Sequence, residues 1–388
     1  VSAIDPLDVL DVEALLTDDE RAVRDEVRAF VRDHVLDEIE DWYARGIFPS
    51  HLVGDLGTLG LLGMHLDGYG CAGRNAVSYG LACLELEAGD SGLRSFVSVQ
   101  GSLAMYPIWR FGSEDAKQRW LPAMAAGDAV GCFALTEPTA GSNPAQMRTF
   151  ARRNGSDWVL DGHKRWSTNA SIADVAVVWA QTDDGVRGFV VPTDTRGVSA
   201  PPITNKHSLR ASVSSELLLN AVRLPADAVL PGAQGLSGPL ACLNEARFGI
   251  VWGALGAARA CYEAALEHAR SREQFGKPIG AFQLTQAKLV DMVIELDKGM
   301  LLALHLGRMK DAKRLRHEQV SSGKLNNVRE ALTIARTART VLGAEGITTS
   351  QPVMRHMANL ESVLTYEGTS EVHILALGKA LTGLSAFT

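Results

Sequence analysis

The order in which hydrophobic periodicity changes along the 388 residues constrains this chain most. A helical first third is followed by short strand-like runs with no helix between them, and then by helical sequence again. Alternating β and α segments would specify a parallel sheet, whereas segregated ones specify separate helical and β layers. The chain therefore reads as α+β, mostly helical. A helical domain is expected over 1–130, a central antiparallel β-barrel over 131–239, and a four-helix bundle over 240–388.

Local signals support each part. Thr17-Asp18-Asp19-Glu20 is a capping box, in which hydroxyl and carboxylate satisfy free N–H groups. Behind it Val23, Val27, Phe30, Val31, Val35 and Ile39 recur at helical spacing. Further helices are expected over 50–64, 75–88, 92–111 and 114–126. Val130–Thr136, Trp158–Leu160, Ala173–Gln181, Val186–Val191 and Leu217–Leu224 read as strands, being short, β-branched and separated by turn residues. Long periodic segments then cover 240–271, 281–312, 317–342 and 371–384.

Several function classes lose support. With 38 basic and 45 acidic residues the net charge is −7, which argues against nucleic acid as the partner. No apolar run approaches the length of a membrane span. No basic start leads into an apolar core, so no secretory leader is expected. Five cysteines, an odd count without C-x-x-C spacing, suit buried thiols in a reducing compartment, and a cytoplasmic location is expected. Gly68-Tyr69-Gly70-Cys71-Ala72-Gly73 matches a dinucleotide fingerprint, but no strand precedes it. His317-Glu318 begins an H-E-x-x-H pattern that Ser321 breaks, and no metal site is expected.

Four segments carry chemistry. Phe133 to Asn143 is a strand end followed by a Gly/Ser loop, whose backbone N–H groups suit an anionic or heteroaromatic ligand. Lys164-Arg165-Trp166-Ser167-Thr168-Asn169 sets an aromatic face beside hydroxyls. Ser271-Arg272-Glu273-Gln274-Phe275-Gly276, with Gln283 after it, offers a guanidinium for a phosphate. Thr365-Tyr366-Glu367-Gly368-Thr369 puts a carboxylate on a glycine-containing loop, where it can act as a base.

In this order and spacing the four segments resemble the acyl-CoA dehydrogenase family, over about residues 10–388. Within it the resemblance is nearest to the glutaryl-CoA dehydrogenases. It is carried also by Asp90-Ser91-Gly92-Leu93-Arg94-Ser95, Ser208-Leu209-Arg210-Ala211-Ser212 and Leu243-Asn244-Glu245-Ala246-Arg247. The family's fold is a helical domain, a β-barrel and a helical bundle, usually as a homotetramer, and its cofactor is FAD. The resemblance implies that Phe133, Leu135, Thr136, Gly141, Ser142, Trp166, Ser167 and Thr168 hold the isoalloxazine ring. Arg272, Phe275 and Gln283 match residues that reach FAD across a subunit interface. Thr369, Glu371 and Phe387 lie where further cofactor contacts are expected. Ser142, Leu243, Arg247 and Gly368 match positions that contact the acyl-CoA.

Glu367 resembles the catalytic base. In the family its own backbone N–H and an FAD hydroxyl hold the thioester carbonyl, and burial should raise the Glu367 pKa. Arg94 matches the residue that binds a distal carboxylate, with Ser95 and Ser98 beside it and Glu87 holding the guanidinium or relaying a proton. Tyr366 before the base fits the decarboxylating members. The implied activity is oxidative decarboxylation of glutaryl-CoA to crotonyl-CoA and carbon dioxide, with electron-transfer flavoprotein as acceptor. Alternatives are dehydrogenation of another acyl-CoA or carrier-protein thioester without decarboxylation, or a non-catalytic member. Asn143, Ser167 and Glu345 depart from the family's usual residues.

Overall fold

The structure, a computed structural model, describes residues 4–387. Residues 1–3 and 388, at the ends of the two expected helical domains, lie outside the described residues. The first helices are α1 (Asp18–His34), α2 (Ile39–Arg45), α3 (Val53–Thr58), α4 (Ala76–Gly89), α5 (Ser91–Ser98), α6 (Tyr106–Phe111) and α7 (Glu114–Ala126). The expected capping box opens α1: the Glu20 N–H donates to Thr17 Oγ1 at 3.3 Å and the Thr17 N–H to Glu20 Oε2 at 2.9 Å. The Val23, Val27, Phe30 and Val31 face is buried, and α1 packs on α4. The helix expected over 50–64 is shorter, ending at Thr58. The one expected over 92–111 contains a π-helical turn, Val99–Met105, that joins α5 to α6. Gln100 lies in that turn and is fully buried. It donates to Met124 O at 3.0 Å and Ala129 O at 2.8 Å, and accepts from the Gly131 N–H at 2.7 Å. One side chain thus ties the end of α7 to the first strand.

The strands are β1 (Gly131–Ala134), β2 (Phe150–Asn154), β3 (Asp157–Thr168), β4 (Val175–Thr182), β5 (Gly185–Pro192), β6 (Val198–Ser199) and β7 (Ser214–Leu224). The expected fold class holds: helical layer, central sheet, helical layer. In detail the sheet is mixed, not wholly antiparallel. β2–β3, β3–β7, β4–β5 and β6–β7 pair antiparallel, while β1 runs parallel to β4. The β2–β3 hairpin lies between β1 and β4 in sequence and supplies the long connection that parallel neighbours need. The strand expected at Trp158–Leu160 extends to Thr168. Its second half carries His163, Lys164 and Arg165, which hid it from a reading of apolar alternation.

The C-terminal part comprises α8 (Ser237–Ser271), a small hairpin β8 (Glu273–Gln274) and β9 (Lys277–Pro278), then α9 (Gln283–Asp311), α10 (His317–Leu342), α11 (Pro352–Thr365) and α12 (Ser370–Thr382). α11 was not foreseen, and it packs on α8 and α10. α4 and α8 meet at van der Waals range because small residues face each other. A Cβ on Gly256 would fall 1.9 Å from Leu84 O.

The Gly68–Gly73 loop is a connector into α4, capped by Asn75, with no strand before it. Asp90, at the distance of a ribose ligand in the fingerprint, instead caps α5 by accepting from the Gly92 N–H at 2.7 Å. Among the described residues no helix is long and apolar enough to cross a membrane, and no three His, Cys, Asp or Glu side chains converge as for a metal. All five cysteines are free thiols.

Candidate active site

The α11–α12 connection carries Tyr366, Glu367 and Gly368. Glu367 sits at φ 54°, in the left-handed region a non-glycine residue rarely adopts. Two cations hold its three successive carbonyls. Lys324 Nζ donates to Tyr366 O at 2.5 Å and to Gly368 O at 2.6 Å, and Arg247 Nε donates to Glu367 O at 2.7 Å. Lys324 projects from α10 and is 2% exposed. The sequence reading missed it, although a visible signal exists: Lys324 lies on the stripe Val320–Asn327–Val328–Ala331 that α10 buries. Burial pushes its ammonium down to about 7, against the opposing pull of Glu367.

Glu367 Oε2 is buried and makes no hydrogen bond. Burial raises the Glu367 carboxyl above its ordinary range, as expected, while Arg94, Lys324 and Arg247 pull the other way. A carboxylate with a free, desolvated oxygen is competent to take a proton from carbon.

Arg94 and Glu87 meet beside Tyr366. Extended backbone at Asp90 separates α4 from α5 and turns the two side chains together. Arg94 Nε donates to Glu87 Oε2 at 2.5 Å, and Ser91 Oγ donates to Glu87 Oε1 at 2.9 Å. Arg94 Nη2 donates to the Tyr366 hydroxyl, and the guanidinium carbon lies 5.7 Å from the Tyr366 ring centre. Its bonds among the described residues use Nε and Nη2, which leaves Nη1 for a ligand. Arg94 and Glu87 are both fully buried, and the Glu87 carboxylate keeps the guanidinium charged against the cost of burial. Ser95 is buried, and Ser98 Oγ is buried without a partner. Gly253 of α8 makes the pair possible. A Cβ there would fall 2.1 Å from Glu87 Oε2 and 3.0 Å from Arg94 Nε. Only the backbone packing shows this role, so sequence reasoning had no access to it.

A second group gathers where β1 ends beside β3. The Arg165 N–H donates to Thr136 O at 2.8 Å. Buried Lys164 donates to Leu135 O at 3.0 Å and to Glu137 Oε1 at 2.9 Å. Glu137 in turn accepts from the N–H groups of Arg148 at 2.6 Å and Thr149 at 2.9 Å. These bonds bring Thr136 and Trp166 to one place. The β3–β7 register shifts between Lys164 and Ser167, and Trp166 is turned out at φ 62° with 53% of its surface exposed. Ser167 Oγ is buried without a partner, and nothing stands over Gly141. An exposed indole, an orphaned hydroxyl and an open glycine loop fit a flat heteroaromatic group with polar edges. Phe133 and Leu135 have side chains in the apolar core, so only their backbone can face such a group. Thr168 continues the pairing with Ser214, and Ser142 is exposed.

Leu243 and Arg247 share α8, with Leu243 packed on the core. Thr369 caps α12, and Glu371 follows in its first turn. Arg272, Phe275 and Gln283 lie apart, on and after the β8–β9 hairpin. Phe275 is 92% exposed and touches Phe282 edge-on at 6.2 Å between ring centres. Phe387 is half exposed near the C-terminal end. No hydrogen bond or ring contact joins these residues to the Trp166 loop among the described residues. A cleft of about 640 Å³ lies elsewhere, but its Glu85 is already paired with Arg28 and Arg259.

Three family models match in succession: acyl-CoA dehydrogenase N-terminal domain over residues 17–128, middle domain over 132–222, and C-terminal domain over 233–382. A crystal structure of glutaryl-CoA dehydrogenase from Mycobacterium smegmatis is 65% identical, with TM-score 0.98 and full coverage of both chains. A second structure of a glutaryl-CoA dehydrogenase from that organism, in complex with FADH2, is 63% identical with TM-score 0.98 and full coverage of both. The human mitochondrial short-chain specific acyl-CoA dehydrogenase is 36% identical over 339 residues, 85% of this chain and 82% of that protein. Matched along nearly its whole length by these three models, the chain belongs to the acyl-CoA dehydrogenase family.

Proposed function

We propose that this chain is an FAD-dependent dehydrogenase that oxidises and decarboxylates glutaryl-CoA to crotonyl-CoA and carbon dioxide. The observation that carries it is the buried Arg94, paired with Glu87 and bonded to Tyr366 beside Glu367. A saturated acyl chain gives no reason to bury a guanidinium, whereas a distal carboxylate does.

Thr136, Trp166, Ser167 and the Gly141–Ser142 loop would hold the flavin ring, and bound FAD supplies the acceptor for the β-hydride. Arg272, Phe275 and Gln283 would reach the FAD of a neighbouring subunit, which accounts for the exposed Phe275; a homotetramer, usual in the family, would supply that neighbour. The chain's own residues do the rest. Arg94 holds the distal carboxylate and fixes the α-carbon near Glu367. The Glu367 N–H bonds the thioester oxygen as charge develops there. Glu367 takes the α-proton. Loss of carbon dioxide from the unsaturated product leaves its bonding electron pair in a dienolate, and protonated Glu367 is the acid at hand to protonate the γ-carbon. Electron-transfer flavoprotein is the expected acceptor.

A second reading has its own observation. Glu87 already neutralises Arg94, as a purely structural pair would, and that suits a short-chain dehydrogenase that does not decarboxylate. Anaerobic incubation of the holoenzyme with glutaryl-CoA separates the two. Flavin bleaching with stoichiometric crotonyl-CoA and carbon dioxide supports the first; bleaching only with butyryl-CoA supports the second.

A further inference from the structure

Lys324 takes no part in the chemistry above, yet it is buried against the base-bearing loop. The donor set is specific. Its ammonium spans the carbonyls of Tyr366 and Gly368, and Arg247 takes the intervening carbonyl of Glu367. The peptide bonds here are trans. In a trans peptide the C=O of one residue and the N–H of the next point in opposite directions. Fixing Tyr366 O on Lys324 therefore fixes the Glu367 N–H pointing away from Lys324. That N–H makes no backbone hydrogen bond among the described residues.

We infer that Lys324 is a positioning residue of the oxyanion site: by binding Tyr366 O and Gly368 O it aims and polarises the Glu367 N–H at the thioester oxygen and holds Glu367 in its left-handed conformation. This rests on the acyl-CoA dehydrogenase reading of Glu367. Two physical effects combine. A cation on the carbonyl of an amide draws electron density through the peptide and strengthens its N–H as a donor. A left-handed non-glycine residue also persists only where its surroundings over-determine it, and three charge-assisted bonds do so here. Lys324 touches neither substrate nor cofactor; it acts through the Tyr366–Glu367 peptide.

The test uses holoenzyme with Lys324→Met, which keeps much of the side-chain volume and removes the donors. Lys324→Gln, which keeps a neutral amide donor, is the second variant. FAD content and the thermal transition check that each variant is folded. The diagnostic readout is the vibrational frequency of the carbonyl of bound [1-13C]crotonyl-CoA, which falls when hydrogen bonds polarise it. Wild type is expected to lower that frequency strongly, Lys324→Gln less, and Lys324→Met least. Flavin reduction at saturating acyl-CoA should fall roughly 10²-fold in Lys324→Met, the scale of losing one oxyanion donor. The dissociation constant for crotonyl-CoA should change far less than the rate. A full carbonyl shift in folded Lys324→Met or Lys324→Gln overturns the inference while leaving the parent reading intact. Failure of wild type to bleach with either glutaryl-CoA or butyryl-CoA overturns the parent reading, and this inference with it.

Discussion

Arg94 Nε lies 2.5 Å from Glu87 Oε2, and both side chains are buried. The pair is therefore worth little as a net stabiliser, yet costly to break on one side. Arg94→Gln leaves a buried Glu87 unpaired, at about 3–5 kcal/mol. We expect its thermal midpoint to fall clearly. The double variant Arg94→Gln/Glu87→Gln, with no orphaned charge, should recover much of that loss. Relative to butyryl-CoA, kcat/KM for glutaryl-CoA should drop at least about tenfold in both. Equal losses on the two substrates would remove Arg94 from carboxylate recognition.

Glu367 is the only carboxylate on its loop, and its Oε2 has no partner. Glu367→Gln keeps the size and the backbone bonds from Lys324 and Arg247. The variant should retain FAD and bind acyl-CoA, while stopped-flow flavin reduction slows roughly 10²–10⁴-fold. Near-normal reduction would assign the base elsewhere.

The parts legible in sequence and the parts hidden from it differ for physical reasons. Thr17 and Glu20, Glu367, Arg94 and Trp166 announce themselves, because a cap, a loop carboxylate and a motif are local. α11 and the second half of β3 were missed, since their stability comes from packing that no local propensity records. Lys324 and Gly253 lie far in sequence from the groups they serve, the Tyr366 carbonyl and the Glu87 carboxylate. Their meaning appears only when α10 is set against the Glu367 loop, and α8 against α4.

Gly253 supplies a test independent of charge. The Gly253→Ala methyl would need the space of Glu87 Oε2, which Arg94 holds in place while Ser91 holds Oε1. The carboxylate must shift and turn the guanidinium with it. Glutaryl-CoA kcat/KM should fall by about tenfold, one factor of ten per 1.4 kcal/mol of lost alignment. FAD content should be unchanged, because no flavin-loop residue is touched. Unaltered discrimination between glutaryl-CoA and butyryl-CoA would show that the pair tolerates the displacement.

His65 and His356 are two buried histidines, His373 being a third, that make stability fall toward acid pH. Burial is the first cause in both cases, pushing His65 down to about 4 and His356 down to about 3; Lys310 adds to the effect at His65 and Arg355 at His356, while Glu245 opposes it at His65. Both folded values lie below the ordinary 6.5, so the native state binds fewer protons than the unfolded chain between those limits. Stability is then fully present above about pH 6.5 and is lost as pH falls toward the folded values. Each histidine contributes up to about 1.4 kcal/mol per pH unit inside its window. Glu367 opposes this trend, because its raised carboxyl takes up a proton earlier in the native state than in the unfolded one. His65 lies 4.6 Å from the Tyr79 ring, and neither of its ring nitrogens has a hydrogen-bond partner, so an apolar replacement orphans nothing at that site. His65→Leu should therefore flatten the fall of the urea midpoint between pH 6.5 and 4.5 by about one proton's worth. A wild-type slope retained in that variant would show that His65 takes up its proton in the folded protein as readily as in the unfolded chain.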